Sequence, residues 1–343
     1  MDALISPGRR RLLALAGAAA LGSACSGARH DTRLLKLAGE SMGSTWSVRI
    51  AGGPFDRGFD AVVRQAVSTA LDTVVSRMSS YDPASELSRF NRHAATAPFA
   101  LSAPTLAVLD HAQQVSRLSQ GAFDITVAPL VGAWGFGAAA AARGAPSAAE
   151  LGAPLGWHQL ELDAARGALR KAQPALQIDL SGIAKGYAVD QAALALESLG
   201  LQRYMVEAGG EVRTRGLNGD DRPWQIAIEK PDAWPQEAHR ILPISGLSLA
   251  TSGDYRNCYE LDGRRIHHEI DPLTRAPAAH ALASVSVLHD SCMAADAWAT
   301  ALFVLGPERG LRLAREQGLA ALFIVREGAG LRDIASPAFG PQA

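Results

Sequence analysis

AADAWATALFVLG, Ala294–Gly306, is apolar on every side except for one carboxylate and one hydroxyl. A run of that kind reads as a helix buried all round, about which a core is assembled. Asp296 and Thr300 are four residues apart, so in a helix they lie one turn apart on the same face. No basic residue lies within a turn or two of Asp296, and burying an ionised carboxylate without a partner costs several kcal/mol. Two arrangements would remove that penalty. A hard cation would do so, because carboxylate and hydroxyl oxygens are the donors Mg2+ takes. A position in the N-terminal turn after Ser291 would also help, through the helix dipole.

Outward from this helix, Met293–Leu305, the chain alternates hairpin-like strand pairs with helices. Val62–Met78, Pro104–Ser119 and Ile183–Leu199 have helical periodicity. Tyr204–Arg215 reads as strand, Gly-Gly turn, strand; Trp224–Glu229 and Ala283–Leu288 are further strands. Arg264–Ile270 alternates, which predicts one strand with Ile266, His268 and Ile270 on a single face. The segment from Gly137 to Pro154, rich in Ala, Gly and Pro, reads as an insertion or linker. Strand pairs interspersed with helices predict an α+β fold, mixed or antiparallel sheets packed against helices, rather than a doubly wound one.

Basic and acidic residues nearly balance over 343 residues, for a net charge of −1; this excludes the dense basic footprint of a nucleic-acid binder. At the N-terminus Arg9, Arg10 and Arg11 precede an apolar run too short to span a bilayer well, then small residues and Cys25. That is an export signal, and RRRLL also fits the twin-arginine type. The expected division is therefore a signal peptide and flexible segment over residues 1–28 and one folded domain over residues 37–335. Cys25 resembles a lipoprotein processing site, with Gly22 where Leu is usual. Cys258 and Cys292 alone make no disulfide framework.

Several further segments carry candidate chemistry. In IDLSGIAKGYAVD, Ile178–Asp190, a strand ends at Asp179 and a helix opens near Ile183 with free N–H groups and a positive dipole end. Lys185 in its first turn opposes that dipole; a bound phosphate would compensate, unless Ser181 simply caps the helix and Lys185 faces solvent. In GRRIHHEIDPLTRAP, Gly263–Pro277, an inward His268 is either a satisfied core histidine or a base. MSSYDPASELSRFN, Met78–Asn91, and GAFDITVAPLVGAWGFG, Gly121–Gly137, each read as loop and core aromatics or as the lining of a flat ligand.

Six segments, SYDPASELSRFN, GAFDITVAPL, IDLSGIAKGYAVD, SGDYRN, HHEIDPLT and ADAWATALFVLG, occur in the order found in one family. Between about Gly39 and Gly306 the chain resembles the FAD:protein FMN transferases, the ApbE family, formerly called thiamine-biosynthesis lipoproteins. The resemblance implies an Mg2+-dependent enzyme that breaks the pyrophosphate of FAD. FMN passes through its phosphate to a Thr or Ser hydroxyl of a target flavoprotein with a Ser/Thr-Gly-Ala-Thr-like motif, and AMP is released. It implies that Met42, Tyr81, Ala122, Phe123, Asp124, Asp179, Lys185 and Ile270 hold the nucleotide. Asp296 and Thr300 would bind the metal with the Gly182 carbonyl, and His268 would be the base, with an ordinary pKa of about 6.5. A lipid anchor at Cys25 on the periplasmic side and a homodimer are compatible with the pattern. An FAD pyrophosphatase and a non-catalytic FAD-binding protein are the alternatives. One position departs from the family: Arg275 stands where Gly usually follows the Thr of the DPLT segment. Either the turn differs there or Arg275 adopts the left-handed conformation that Gly takes freely.

Overall fold

The computed structural model describes residues 34–340; the export signal and Cys25 lie outside them. Its centre is an eight-stranded sheet in the order Leu34–Ser41, Ser44–Ala51, Tyr204–Ala208, Glu211–Arg215, Ser248–Gly253, Leu282–His289, Ala320–Glu327, Gly330–Ala335. Every neighbouring pair is antiparallel, and the fold is α+β. Two of the connections are two-residue turns, Met42-Gly43 and Gly209-Gly210, in which all four residues have positive φ. Turns of that hand match the twist of the strands they join, which is why glycines recur there.

Among the described residues seven α-helices accompany the sheet: α1 (Phe59–Met78), α2 (Glu86–Arg92), α3 (Ala103–Leu118), α4 (Ala128–Ala133), α5 (Ala148–Leu151), α6 (Ala184–Ser198) and α7 (Cys292–Glu316). On one face of the sheet, Val48, Val206, Val285 and Phe323 pack with Val67 and Leu71 of α1, Leu109 of α3, Ala192 of α6 and Leu302 of α7. The opposite face, with Met205, Val212, Leu249 and Ile324, is covered by Ile226, Ile228 and Leu242 of the hairpin Trp224–Glu229/Ala238–Ile244. A sheet covered on both faces has no polar side, so Leu282–Leu288 is buried at every residue.

Helix α7 is apolar all round because α6, α3 and the sheet enclose it. The apolar run ends at Leu305, but the helix does not. Instead it kinks at Gly306 (φ 76°) and Pro307 and continues to Glu316; Pro307 has no N–H for the ladder and Gly306 takes up the bend. The approach of α6 to α7 is set by Gly186. A Cβ there would lie 2.2 Å from the Cys292 carbonyl oxygen and 2.8 Å from Asp296 Cβ. Asp190, one turn further along α6, caps α7: its carboxylate accepts from the Cys292 N–H (3.0 Å), the Met293 N–H (3.0 Å) and Ser291 Oγ (2.8 Å).

The expected strand Arg264–Ile270 is broken. Arg264–His267 pairs with Cys258–Leu261, whereas Ile270–Asp271 pairs with Ala276–Pro277. The change of partner at His268–Glu269 interrupts the alternation, so Ile266 and its neighbour His267 are both buried, and His268 is released from a strand face into a cavity. The Gly137–Pro154 segment contains the one-turn helix α5, closed by a capping box between Ser147 and Glu150.

Candidate functional site

A cavity of about 300 Å³ opens between the start of α6, the middle of α7 and the break at His268. A second, of about 730 Å³, lies between the Met42-Gly43 turn and the α1–α2 loop. Asp179, Ser181 and Lys185 line both. Ala122, Phe123, Asp124, Asp179, Gly182, Lys185, His268, Ile270, Asp296 and Thr300 line the first; Met42 and Tyr81 line the second. The candidate residues, spread along the chain from 42 to 300, thus meet around two adjoining cavities.

Asp296 is 3% exposed. It does not lie in the N-terminal turn of α7, whose N–H groups are taken by Asp190 and Ser291. Its Oδ2 accepts from the Gly186 N–H of α6 at 2.9 Å, the single donor to this carboxylate among the described residues. Burial raises its pKa, and the nearby Lys185 and the Gly186 N–H oppose that rise. Thr300 Oγ1 lies 3.1 Å from Ser252 Oγ, and a Cβ on Gly182 would come within 3.0 Å of Thr300 Oγ1. The Gly182 backbone therefore lies close against the Thr300 hydroxyl, and glycine leaves that space open. Carboxylate, hydroxyl and carbonyl oxygens are a hard-cation donor set. Among the described residues no three His, Cys, Asp or Glu side chains form a ready metal cluster. A cation held by this set would complete its coordination from a ligand, as Mg2+ does with substrate phosphates.

Lys185 is half-buried between the two cavities and does not stand unpaired. Its ammonium donates to Glu211 Oε1. Burial works to lower its pKa, but Glu211 and Asp296 outweigh it and hold the ammonium above its ordinary range. Ser181 does not cap α6. The capping position is Ile183, without a side-chain bond, and the Ser181 N–H and hydroxyl both donate to Asp179 Oδ1. Asp179 thereby shapes the turn that opens α6.

Two carboxyls of the site had no signature in the sequence. Glu211 is 1% exposed; burial and Asp296 push it up to about 7 against the pull of Lys185, and its Oε2 is buried with no hydrogen-bond partner. Glu269 is pushed up to about 8, chiefly by burial. Neither could be assigned from spacing. Glu211 meets Lys185 only through the sheet, and Glu269 turns inward only because the strand breaks.

His268 Nδ1 lies 3.3 Å from the Asn257 carbonyl oxygen. A carbonyl can only accept, so Nδ1 carries the proton and Nε2 keeps its lone pair. Nε2 lies 3.7 Å from Glu269 Oε1. Burial, with repulsion from Lys185, pushes the His268 pKa down to about 4 rather than the ordinary 6.5, so the ring is neutral at pH 7. Asp124 plays a different part. Its carboxylate accepts from the Thr126 N–H and hydroxyl and from the Trp157 N–H, which fixes the Ala122–Phe123 wall beside it.

This arrangement can bind a diphosphate and deprotonate a hydroxyl brought to His268. A sequence profile of the ApbE family matches residues 42–323. The chain belongs to the ApbE family. It is 41% identical over 317 residues to a FAD:protein FMN transferase of Vibrio cholerae, covering 92% of this chain and 95% of that one. It is 37% identical over 315 residues to the FAD:protein FMN transferase of Escherichia coli, covering 90% and 89%. Among solved structures, the flavin transferase ApbE of Vibrio cholerae superposes with a TM-score of 0.82 at 41% identity, over 90% of this chain and 98% of that one. The apo form of the Pseudomonas stutzeri flavinyl transferase ApbE does so with 0.81 at 38% identity, over 90% and 96%.

Proposed function

We propose that this protein transfers the FMN moiety of FAD to a Thr or Ser hydroxyl of an acceptor flavoprotein and releases AMP, in a reaction that depends on Mg2+. The observation that carries the reading is the buried Asp296, one turn from a Thr300 that lies against Gly182, in the cavity that also holds His268 and Lys185. The relatives' printed names, FAD:protein FMN transferase, support the same reaction.

Asp296, Thr300 and the Gly182 carbonyl would hold Mg2+. When bound, the ion supplies charge neutralisation at the diphosphate. Lys185, oriented by Glu211, draws the diphosphate in and stabilises charge that builds up on its oxygens. His268 Nε2 takes the proton of the acceptor hydroxyl as its oxygen attacks the phosphorus of the FMN half. The bond from that phosphorus to the bridging oxygen breaks, and AMP leaves with the electron pair. Phosphoryl transfer asks mainly for positioning and charge neutralisation, so no nucleophilic side chain of the protein is required. Phe123, Met42 and Tyr81 provide apolar and aromatic walls for the flavin and adenine rings.

The test is incubation with FAD, Mg2+ and an acceptor domain bearing the Ser/Thr-Gly-Ala-Thr-like motif, followed by in-gel flavin fluorescence. Transfer labels the acceptor and chelator abolishes the label. AMP without label identifies an FAD pyrophosphatase, and tight FAD binding with neither product a storage protein. Asp296→Ala should abolish labelling while the far-UV spectrum is retained; undiminished labelling would remove the metal assignment. His268→Ala should lower kcat by about 100-fold or more while FAD affinity changes little; equal loss of both would exclude the base role.

The N-terminal pattern from Arg9 to Cys25 supports an exported protein acting on the periplasmic side of the cell envelope, with Cys25 as the site of a lipid anchor. Within the described residues no helix is long and apolar enough to cross a membrane.

A further inference from the structure

Arg275 has φ 59°, a conformation that is strained for a residue with a side chain and persists only where its surroundings hold it. Here they do. Its N–H donates to the Asp271 carbonyl at 2.8 Å. Its guanidinium Nη1 donates to the carbonyls of Leu151 (2.5 Å) and Ala153 (2.8 Å), at the far end of the Ala/Gly/Pro-rich segment. Its own carbonyl accepts from Trp134 Nε1 at 3.0 Å. The Trp134 carbonyl in turn accepts from the Tyr259 hydroxyl at 3.0 Å. Phe136, two residues on, packs against Tyr259 (centroids 5.5 Å apart) and against the His268 ring (6.3 Å). The same segment is tied a second time, by Arg143 over the Tyr259 ring at 5.1 Å.

We propose that Arg275 is a positioning residue that clasps the 137–154 segment to the turn after Ile270–Asp271 and, through Trp134 and Phe136, sets the wall beside His268 at which the acceptor hydroxyl must arrive. The proposal rests on the reading of His268 as the base. A glycine at this position would take the same φ without strain but could hold nothing across the gap. The arginine accepts the strain, and its Nη1 reaches the carbonyls of Leu151 and Ala153. The clasp lines neither cavity itself; it reaches the site through Phe136, whose ring lies against that of His268.

The experiment compares Arg275→Gly and Arg275→Lys with the unmodified protein. Glycine suits the backbone, so Arg275→Gly is expected to fold with an undiminished melting temperature. Its KM for the acceptor domain should rise about tenfold, with kcat and FAD affinity close to those of the unmodified protein. Trypsin should cut it faster after the exposed Arg143. Arg275→Lys, which still donates to carbonyls, should recover most of both effects. An unchanged acceptor KM together with an unchanged trypsin rate overturns the proposal, as does an equal loss in FAD affinity. If the unmodified protein labels no acceptor, the transferase reading fails by itself and the clasp is judged by the trypsin rate: faster cutting in Arg275→Gly sustains it, and the same rate overturns it.

Discussion

At the scale of single residues, the site is a set of protons held away from their ordinary positions. His268 is neutral because burial and Lys185 disfavour its cation. Glu269, 3.7 Å from its Nε2, is protonated at neutral pH because burial disfavours its anion. The signs are opposite and separable. As pH falls through about 4, His268 takes up a proton and kcat/KM should drop. As pH rises through about 8, Glu269 loses its proton, a negative charge appears in the cavity it shares with Lys185 and Asp296, and FAD affinity should weaken. Glu269→Gln keeps the shape of the neutral carboxyl and cannot ionise. Titration of FAD binding by fluorescence should therefore weaken through pH 8 in the unmodified protein and stay flat in this variant. A parallel decline in both would show that another group is responsible.

Elements explain how those residues are held. Helices α6 and α7 are joined at two levels, by Asp190 on the N–H groups that open α7 and by the Gly186 N–H on Asp296. The second contact exists because Gly186 lacks a side chain. In Gly186→Ala the new methyl would meet the Cys292 carbonyl at 2.2 Å, backbone that cannot move aside, and the helices must separate. Overpacking of this kind costs about 1–3 kcal/mol, to be read from the midpoint of urea denaturation. Labelling should fall further than stability does, since Asp296 would shift with α7. A variant as stable and as active as the unmodified protein would show that the helices are not held at this crossing. The reverse dependence applies to Asp190→Ala, which leaves α7 without its main cap and should cost about 1–2 kcal/mol.

For the molecule as a whole, the two cavities meet at Asp179, Ser181 and Lys185. A ligand with one end in each places its middle at that junction, beside Asp296. FAD and Mg2+ should then stabilise the fold together. At an FAD concentration about 100 times its Kd, linkage adds about 2.7 kcal/mol, and chelator should remove most of it. Calorimetric melting with each ligand alone and with both checks this; strictly additive shifts would separate the metal from the diphosphate.

Much of this protein was legible along the chain: the helical and hairpin periodicities, the α+β class, the Gly209-Gly210 turn, and the ordered motifs that carry the family. Those signals are local, because hydrophobic period and turn chemistry act within a few residues. What tertiary structure alone decided was partnership. Asp296 was visible as an acid without a local partner, but its donor, Gly186, is 110 positions away. Lys185 reads along the chain as exposed or phosphate-bound, and only the sheet supplies its partner Glu211. The strand through His268 read as continuous because alternation cannot reveal that its two halves pair with different neighbours. Arg275 looked like a simple departure from a glycine, and only the fold showed what its side chain holds. Burial and long-range pairing set the charges of the site, and neither is written in residue order.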